Sequence, residues 1–238
     1  MEEIRAATEL PAIREEITLH TEDGQTLVGE LAMPVGMNPV ATLITLHPLP
    51  THGGFMDSHL YRKAANRLPA LINVAVLRFN TRGTGSPRGV STGSFDGGVT
   101  EEFDVAAAVK FCEDRGLKNL WLVGWSFGTE LAIKYGPDHK VSGAILISPP
   151  LHRATDADLM RWNSFAKPLI ALVPGEDDYL QPEEAAVRFA VVPQAKVYGF
   201  EGEKHLWVGE AATKRVLDEI VRVVNPERYP LAETFLLS

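Results

Sequence analysis

Eight short, apolar, β-rich runs punctuate the sequence, and segments of helical periodicity separate most of them. They are EEITLHT, QTLVGELA, ATLITLH, NVAVLRF, NLWLVGW, GAILISP, PLIALVP and AKVYGF. The first two follow each other closely enough to pair as a hairpin. Several of the later ones lack alternation of apolar and polar residues, which is how a strand reads when helices cover both of its faces. Between them, Leu60, Ala64 and Leu68 recur one helical turn apart. After Thr100, an N-cap followed by Glu101 and Glu102, the residues Val105, Ala108 and Cys112 form an apolar stripe. A last helix carries Ala212, Val216 and Ile220 on one face and ends before Pro226. This alternation predicts the α/β class: a mostly parallel, twisted sheet of about eight strands flanked by helices. Residues 1–238 fit one domain. Residues 151–167 show neither a clear strand nor a long helix, which leaves room for a small flap and only a minimal cap; residues 226–238 read as a C-terminal tail.

The charge balance limits the partners. A net charge of −8 opposes binding to nucleic acid or an anionic membrane through a general field. The start MEEIRAATELP lacks the basic beginning and apolar core of a secretory signal, and no window approaches about 18 apolar residues. Cys112 is the only cysteine, so an internal disulfide and a cysteine metal cluster are excluded, and its place on the apolar stripe makes it a core residue. A cytoplasmic, soluble protein without nucleic-acid or membrane partners is expected.

The stretch GWSFG, residues 124–128, lies between the strand-like NLWLV and the helix-like LAIKYG. In an α/β sheet, ligands bind beyond the carboxyl ends of the strands. A G-x-S-x-G segment there reads as a sharp turn that lifts the hydroxyl of Ser126 above the sheet, with glycines where a Cβ would obstruct strand and helix. The Phe127 N–H then points into the same space and can stabilise an oxyanion. A serine hydroxyl needs a base, and the base needs an orienting acid. PLIALVPGEDDYLQP supplies Asp177 and Asp178 after a strand and a turn at Gly175. Asp178 is the expected acid, because the loop must turn away from the strand before a side chain can face back. Two adjacent buried carboxylates would repel, so one of them should be solvated. His205, in the loop before the last helix, is the expected base. The chain order serine, acid, histidine supports the set as a unit. In LHPLPTHGG, Pro48 and Pro50 have no N–H, which leaves Leu49 as the second expected oxyanion donor. His47 reads as a brace for that loop, His52 as a solvated loop residue, and Gly53 and Gly54 as turn formers.

The stretches LHPLPTHGGFMD, LRFNTRGTGSPRG, EEFDVAAAVKF, VGWSFGTELA, ISPP, PGEDDYLQP and EKHLW together resemble the α/β-hydrolase superfamily. They are most similar to small bacterial serine hydrolases related to dienelactone hydrolases, over residues 40–210. The resemblance implies an α/β-hydrolase fold and a Ser126–Asp178–His205 triad, with Asp178 on the acid motif G-x-x-D. It also implies oxyanion donors at Leu49 and Phe127, no cofactor and no metal, and esterase-like activity on a small-molecule ester. Dienelactone hydrolases carry cysteine where this chain has Ser126, so their substrate does not transfer. The family often has an aromatic pair after the histidine; here Leu206–Trp207 stands in its place, with an altered pocket wall as the expected consequence. Thioesterase or amidase activity, or a binding protein without turnover, are the other readings the sequence allows. RGTGSPRG misses the dinucleotide fingerprint, because its third glycine falls one residue late and Pro87 removes a following helix start. Arg78, Arg82 and Arg88 are therefore expected to brace loops or to be solvated, with contact of one of them to an anionic substrate as the alternative, and Asp104 to bond neighbouring loop backbone.

Overall fold

The computed structural model describes residues 2–236. Its main sheet has eight strands: β1 (Ile13–His20), β2 (Thr26–Met33), β3 (Ala41–Leu46), β4 (Val74–Phe79), β5 (Leu120–Trp125), β6 (Gly143–Ile147), β7 (Leu169–Pro174) and β8 (Ala195–Phe200). The spatial order is β1-β2-β4-β3-β5-β6-β7-β8. Strands β3 to β8 run parallel, while β1 pairs antiparallel with β2 and β2 antiparallel with β4. The chain moves one way from β3 to β4 and the other way to β5. This reversal opens a crevice outside the carboxyl ends of the central strands.

Six helices cover the sheet: α1 (His59–Ile72), α2 (Glu101–Asp114), α3 (Phe127–Tyr135), α4 (Asp156–Met160), α5 (Pro182–Phe189) and α6 (Glu210–Val224). The fully buried strand β5 divides its side chains cleanly between the two faces. Leu120 and Leu122 join Val105 and Ala108 of α2 and Leu131 of α3. Trp121, Val123 and Trp125 join Leu60 and Leu68 of α1 and Val216 and Ile220 of α6. A strand sandwiched this way has no polar face, and so its sequence shows no alternation. Cys112 is buried in the first of these clusters, and burial pushes its thiol up to about 12.

Two segments left open by the sequence have defined places. Residues 151–167 hold α4 and a 3₁₀ turn, Arg161–Phe165. Trp162 is buried there and its indole donates to the Ile133 carbonyl at 3.0 Å, so this part of the segment packs beside α3, while His152 and Arg153 at its start line the cavity at Ser126. In the tail, Leu231 is buried and Thr234–Phe235 pairs antiparallel with Glu2–Glu3. Residues 237 and 238 lie outside the described residues. Among the described residues, no helix is long and apolar enough to cross a membrane.

Arg78 within β4, and Arg82 and Arg88 after it, form ion pairs that tie neighbouring segments together. The guanidinium of Arg82 bonds buried Asp104 at 2.8 Å and Asp23 at 2.8 Å, and its backbone N–H donates to Asp104 at 2.8 Å. Arg78 pairs with Glu30 and Asp57, and Arg88 reaches Asp57 at 3.0 Å. RGTGSPRG itself forms a small hairpin of Gly85–Ser86 against Gly89–Val90.

Candidate active site

Ser126 sits between the end of β5 and the start of α3 with φ 52° and ψ −115°, in the left-handed half of φ space that a residue with a Cβ seldom adopts. The turn closes tightly. A Cβ at Gly124 would stand 2.4 Å from the Gly128 carbonyl oxygen, and one at Gly128 only 1.8 Å from the Leu46 carbonyl oxygen. Both glycines are therefore steric necessities of the turn. The Ser126 N–H is tied to the Ile147 carbonyl at 2.9 Å, and its carbonyl accepts the Thr129 N–H at 2.9 Å.

This geometry presents the Ser126 hydroxyl to His205, whose Nε2 lies 2.8 Å from Oγ. The other ring nitrogen, Nδ1, lies 2.9 Å from Oδ2 and 3.1 Å from Oδ1 of Asp177. A carboxylate only accepts hydrogen bonds, so Nδ1 carries the proton and Nε2 is left to accept from the serine. The acid beside His205 is thus Asp177, in place of the expected Asp178. The reason is a pairing with the chain that leaves β8. The chain turns at Gly175 and Glu176 as expected, but the turn is tied to the neighbouring chain: the Gly175 N–H bonds the Phe200 carbonyl at 2.7 Å, and the Glu176 N–H bonds the Glu203 carbonyl at 2.9 Å. β7 ends at Pro174, and these two bonds hold the turn that follows it against the chain leaving β8. Asp177 follows directly on that turn, and the Tyr179 N–H donates to its Oδ1 at 2.9 Å. Asp177 is buried and Asp178 exposed, the division expected of two neighbouring carboxylates.

The His205 backbone is fixed from below. Its carbonyl accepts from the Trp125 indole at 3.2 Å and from Ser148 Oγ at 3.0 Å, and Trp207 donates to that same Oγ at 2.8 Å. Trp207 is fully buried, so the residue expected to alter the pocket wall instead supports the loop, and Leu206 lines the cavity. Tyr179 packs edge-on against the His205 ring, with centroids 4.7 Å apart.

Leu49 and Phe127 line the same cavity. Phe127 is the first residue of α3, so its N–H has no acceptor within the helix. The loop carrying Leu49 is folded back on itself: the His52 and Gly54 N–H groups both donate to the Leu49 carbonyl at 3.0 Å. A Cβ at Gly54 would stand 2.0 Å from the Pro48 carbonyl oxygen, while Gly53 has φ 81°. His47 locks the loop: Nδ1–H donates to the Pro48 carbonyl at 2.7 Å and Nε2 accepts the Thr81 N–H at 3.0 Å. Burial holds this imidazole neutral, with its pKa lowered from 6.5 to about 4. Protonation would break the bond from Thr81. An unfolded His47 takes up a proton near its ordinary value and the native one does not, so stability is full above about pH 6.5 and falls as the pH drops toward 4. The expected loss is roughly 3 kcal/mol. Denaturant titrations at pH 7 and pH 4.5 check this, and His47→Gln should lower stability at pH 7 while flattening the dependence.

One contributor was not anticipated from the sequence. Glu130, fully buried on α3, accepts the N–H groups of His152 at 2.7 Å, Arg153 at 3.0 Å and Ala154. It anchors the loop after β6 to the helix that begins at Ser126. Its only signal in the sequence is a carboxylate inside the otherwise apolar helical run FGTELAI. Glu130→Gln puts an amide donor against one of three donors and is expected to cost about 2–3 kcal/mol. Faster hydrogen exchange at residues 152–154 would locate the effect.

A serine on a strained elbow at the switch point of a β1-β2-β4-β3-β5-β6-β7-β8 sheet, paired with a histidine and an acid from later strand ends, defines a hydrolase of the α/β class. The sequence matches the Alpha/beta hydrolase family over residues 46–212, and the chain belongs to that family. Among solved structures it is similar to a lid-less α/β serine hydrolase from Xanthomonas campestris, with TM-score 0.73, 23% identity and coverage of 94% of this chain and 99% of that one. A serine hydrolase homologue from Coxiella burnetii has TM-score 0.72 and 25% identity over 87% of this chain and 96% of that one. An esterase from Pyrococcus furiosus has TM-score 0.70 and 21% identity over 89% of this chain and 92% of that one. No curated protein matches the sequence.

Proposed function

We propose that this chain hydrolyses carboxylic esters through an acyl-enzyme on Ser126. The observation that carries the reading is the relay Ser126 Oγ–His205 Nε2, 2.8 Å, and His205 Nδ1–Asp177 Oδ2, 2.9 Å, at the floor of a cavity of about 440 Å³. Ser126 Oγ attacks the ester carbonyl carbon while His205 Nε2 takes the hydroxyl proton. The Leu49 and Phe127 N–H groups hold the developing oxyanion. Collapse of the tetrahedral species expels the alcohol oxygen, which receives the proton from His205. Water, deprotonated by His205, then releases the acid and restores Ser126. Asp177 keeps the imidazole in the competent tautomer and stabilises its charged form.

The walls around Ser126 are short and apolar, with Pro48, Leu49, Phe127, Pro150 and Leu206, and they suit acyl or alcohol groups of modest size. The acidic charge and the single buried thiol of Cys112 are compatible with a cytoplasmic enzyme. A panel of p-nitrophenyl esters of increasing chain length, run beside acyl-CoA and anilide substrates, tests the reading. Turnover of short esters is expected to exceed that of the amides and thioesters. Preference for acyl-CoA would move the assignment to a thioesterase, and no turnover of any of them would remove it.

A further inference from the structure

Most arginines of this acidic chain have a carboxylate partner, and Arg153 is an exception that opens onto the Ser126 cavity. Its backbone is fixed by the bond from its N–H to Glu130 at 3.0 Å. Its guanidinium carbon lies over the Phe127 ring, 5.5 Å from the centroid. Among the described residues, no carboxylate forms an ion pair with it. A ring contact leaves the donors in the guanidinium plane in need of acceptors. Arg153 is only half-buried but is held in place from two sides, by the buried carboxylate beneath its backbone and by the ring beneath its side chain. Both supports belong to α3, the helix that starts at the nucleophile, so the guanidinium stands on the wall of the cavity that holds Ser126.

The opposing charge at the cavity is Asp178. It is exposed and also borders a neighbouring cleft lined by Gln181, Glu183 and Glu184, so solvent screens it. His52, His152 and Tyr179 also line the cavity wall, and none of them is a carboxylate. Phe127, the residue after Ser126, carries the ring beneath the guanidinium, and Pro150 adds apolar surface to the same cavity wall. An ester that filled this space with a short hydrocarbon segment and ended in a carboxylate would place that carboxylate on unpaired N–H donors.

We propose that Arg153 makes this enzyme selective for esters that carry a carboxylate a few atoms from the scissile carbonyl. The inference rests on the ester-hydrolase reading of the Ser126 site. It assigns Arg153 to substrate binding, with no part in the bond-making steps. A guanidinium–carboxylate pair formed in a cavity is charge-assisted and geometrically specific, so discrimination of about tenfold in kcat/KM is expected against an uncharged isostere.

The test uses two matched pairs of substrates. The 4-nitrophenyl monoester of adipic acid is compared with the corresponding terminal primary amide, which puts the charge on the acyl side. The compound 4-acetoxybenzoate is compared with 4-acetoxybenzamide, which puts it on the leaving side. In wild-type protein at low salt, the carboxylate-to-amide ratio of kcat/KM is expected to be about ten for one of the pairs, to identify the side that faces Arg153, and to shrink as salt is raised. In Arg153→Gln the ratio should fall to about one, and Arg153→Lys should restore part of it. A ratio also serves as its own control against a general loss of activity. A wild-type ratio of one or below for both pairs, with the amides hydrolysed normally, would overturn this inference and leave the ester reading intact. A wild-type preference that survives unchanged in Arg153→Gln would overturn the assignment to Arg153. Absence of turnover for all four compounds would overturn the ester reading and this inference with it.

Discussion

Asp177→Asn is expected to lower kcat by roughly 10⁴-fold on a short ester, whereas Asp178→Asn should change it by less than about threefold. The carboxylate of Asp177 accepts from His205 Nδ1 at 2.9 Å and from the Tyr179 N–H at 2.9 Å. An asparagine keeps the size and the bond from Tyr179. Its amide group can meet the unprotonated ring nitrogen, however, which favours the tautomer whose Nε2 carries a hydrogen and cannot receive the Ser126 proton. The imidazolium formed during attack also loses its counter-charge. Asp178 is exposed and makes no bond to His205, so the same change there touches neither function. Steady-state kinetics on both variants, with circular dichroism to confirm folding, decides between the two neighbours. A large loss for Asp178→Asn with Asp177→Asn near normal would reverse the assignment.

Ser126→Ala should be more severe, lowering kcat by roughly 10⁵- to 10⁶-fold, because no other group can form the acyl-enzyme. Alanine keeps the Cβ, so the strained elbow at φ 52° is not relieved and the fold should persist. The bond lost is the one to His205 Nε2. The residual rate should reflect the oxyanion donors and substrate binding alone. Since serine, histidine and acid act as one unit, the double variant Ser126→Ala/Asp177→Asn should be no slower than Ser126→Ala. A further large loss in the double variant would show Asp177 acting independently of Ser126.

The sheet and the outline of the site were legible in the sequence because their causes are local. The apolar runs of β3 to β7 have no polar face, and helical stripes such as Val105, Ala108 and Cys112 fall at one-turn spacing. The glycines flanking Ser126 likewise encode a contact between adjacent elements. What the sequence hid depends on distant pairings. The choice of Asp177 over Asp178 follows from the Gly175 and Glu176 N–H groups bonding the chain that leaves β8. Nothing in PGEDDYLQP alone specifies that pairing. Glu130 gains its role only when α3 meets the loop after β6, and Trp207 turns inward because Ser148 waits to accept its indole N–H. The segment 151–167 has too little periodicity to show that Trp162 would bury itself beneath α3 and leave the crevice open.

Labelling with a fluorophosphonate probe, followed by mass spectrometry of the modified peptide, tests the central claim most directly. Intact protein should acquire one adduct on Ser126, at a rate that falls steeply in Asp177→Asn and to background in Ser126→Ala. Protein that hydrolyses esters while Ser126 remains unmodified, or that carries the adduct on another residue, would contradict the account.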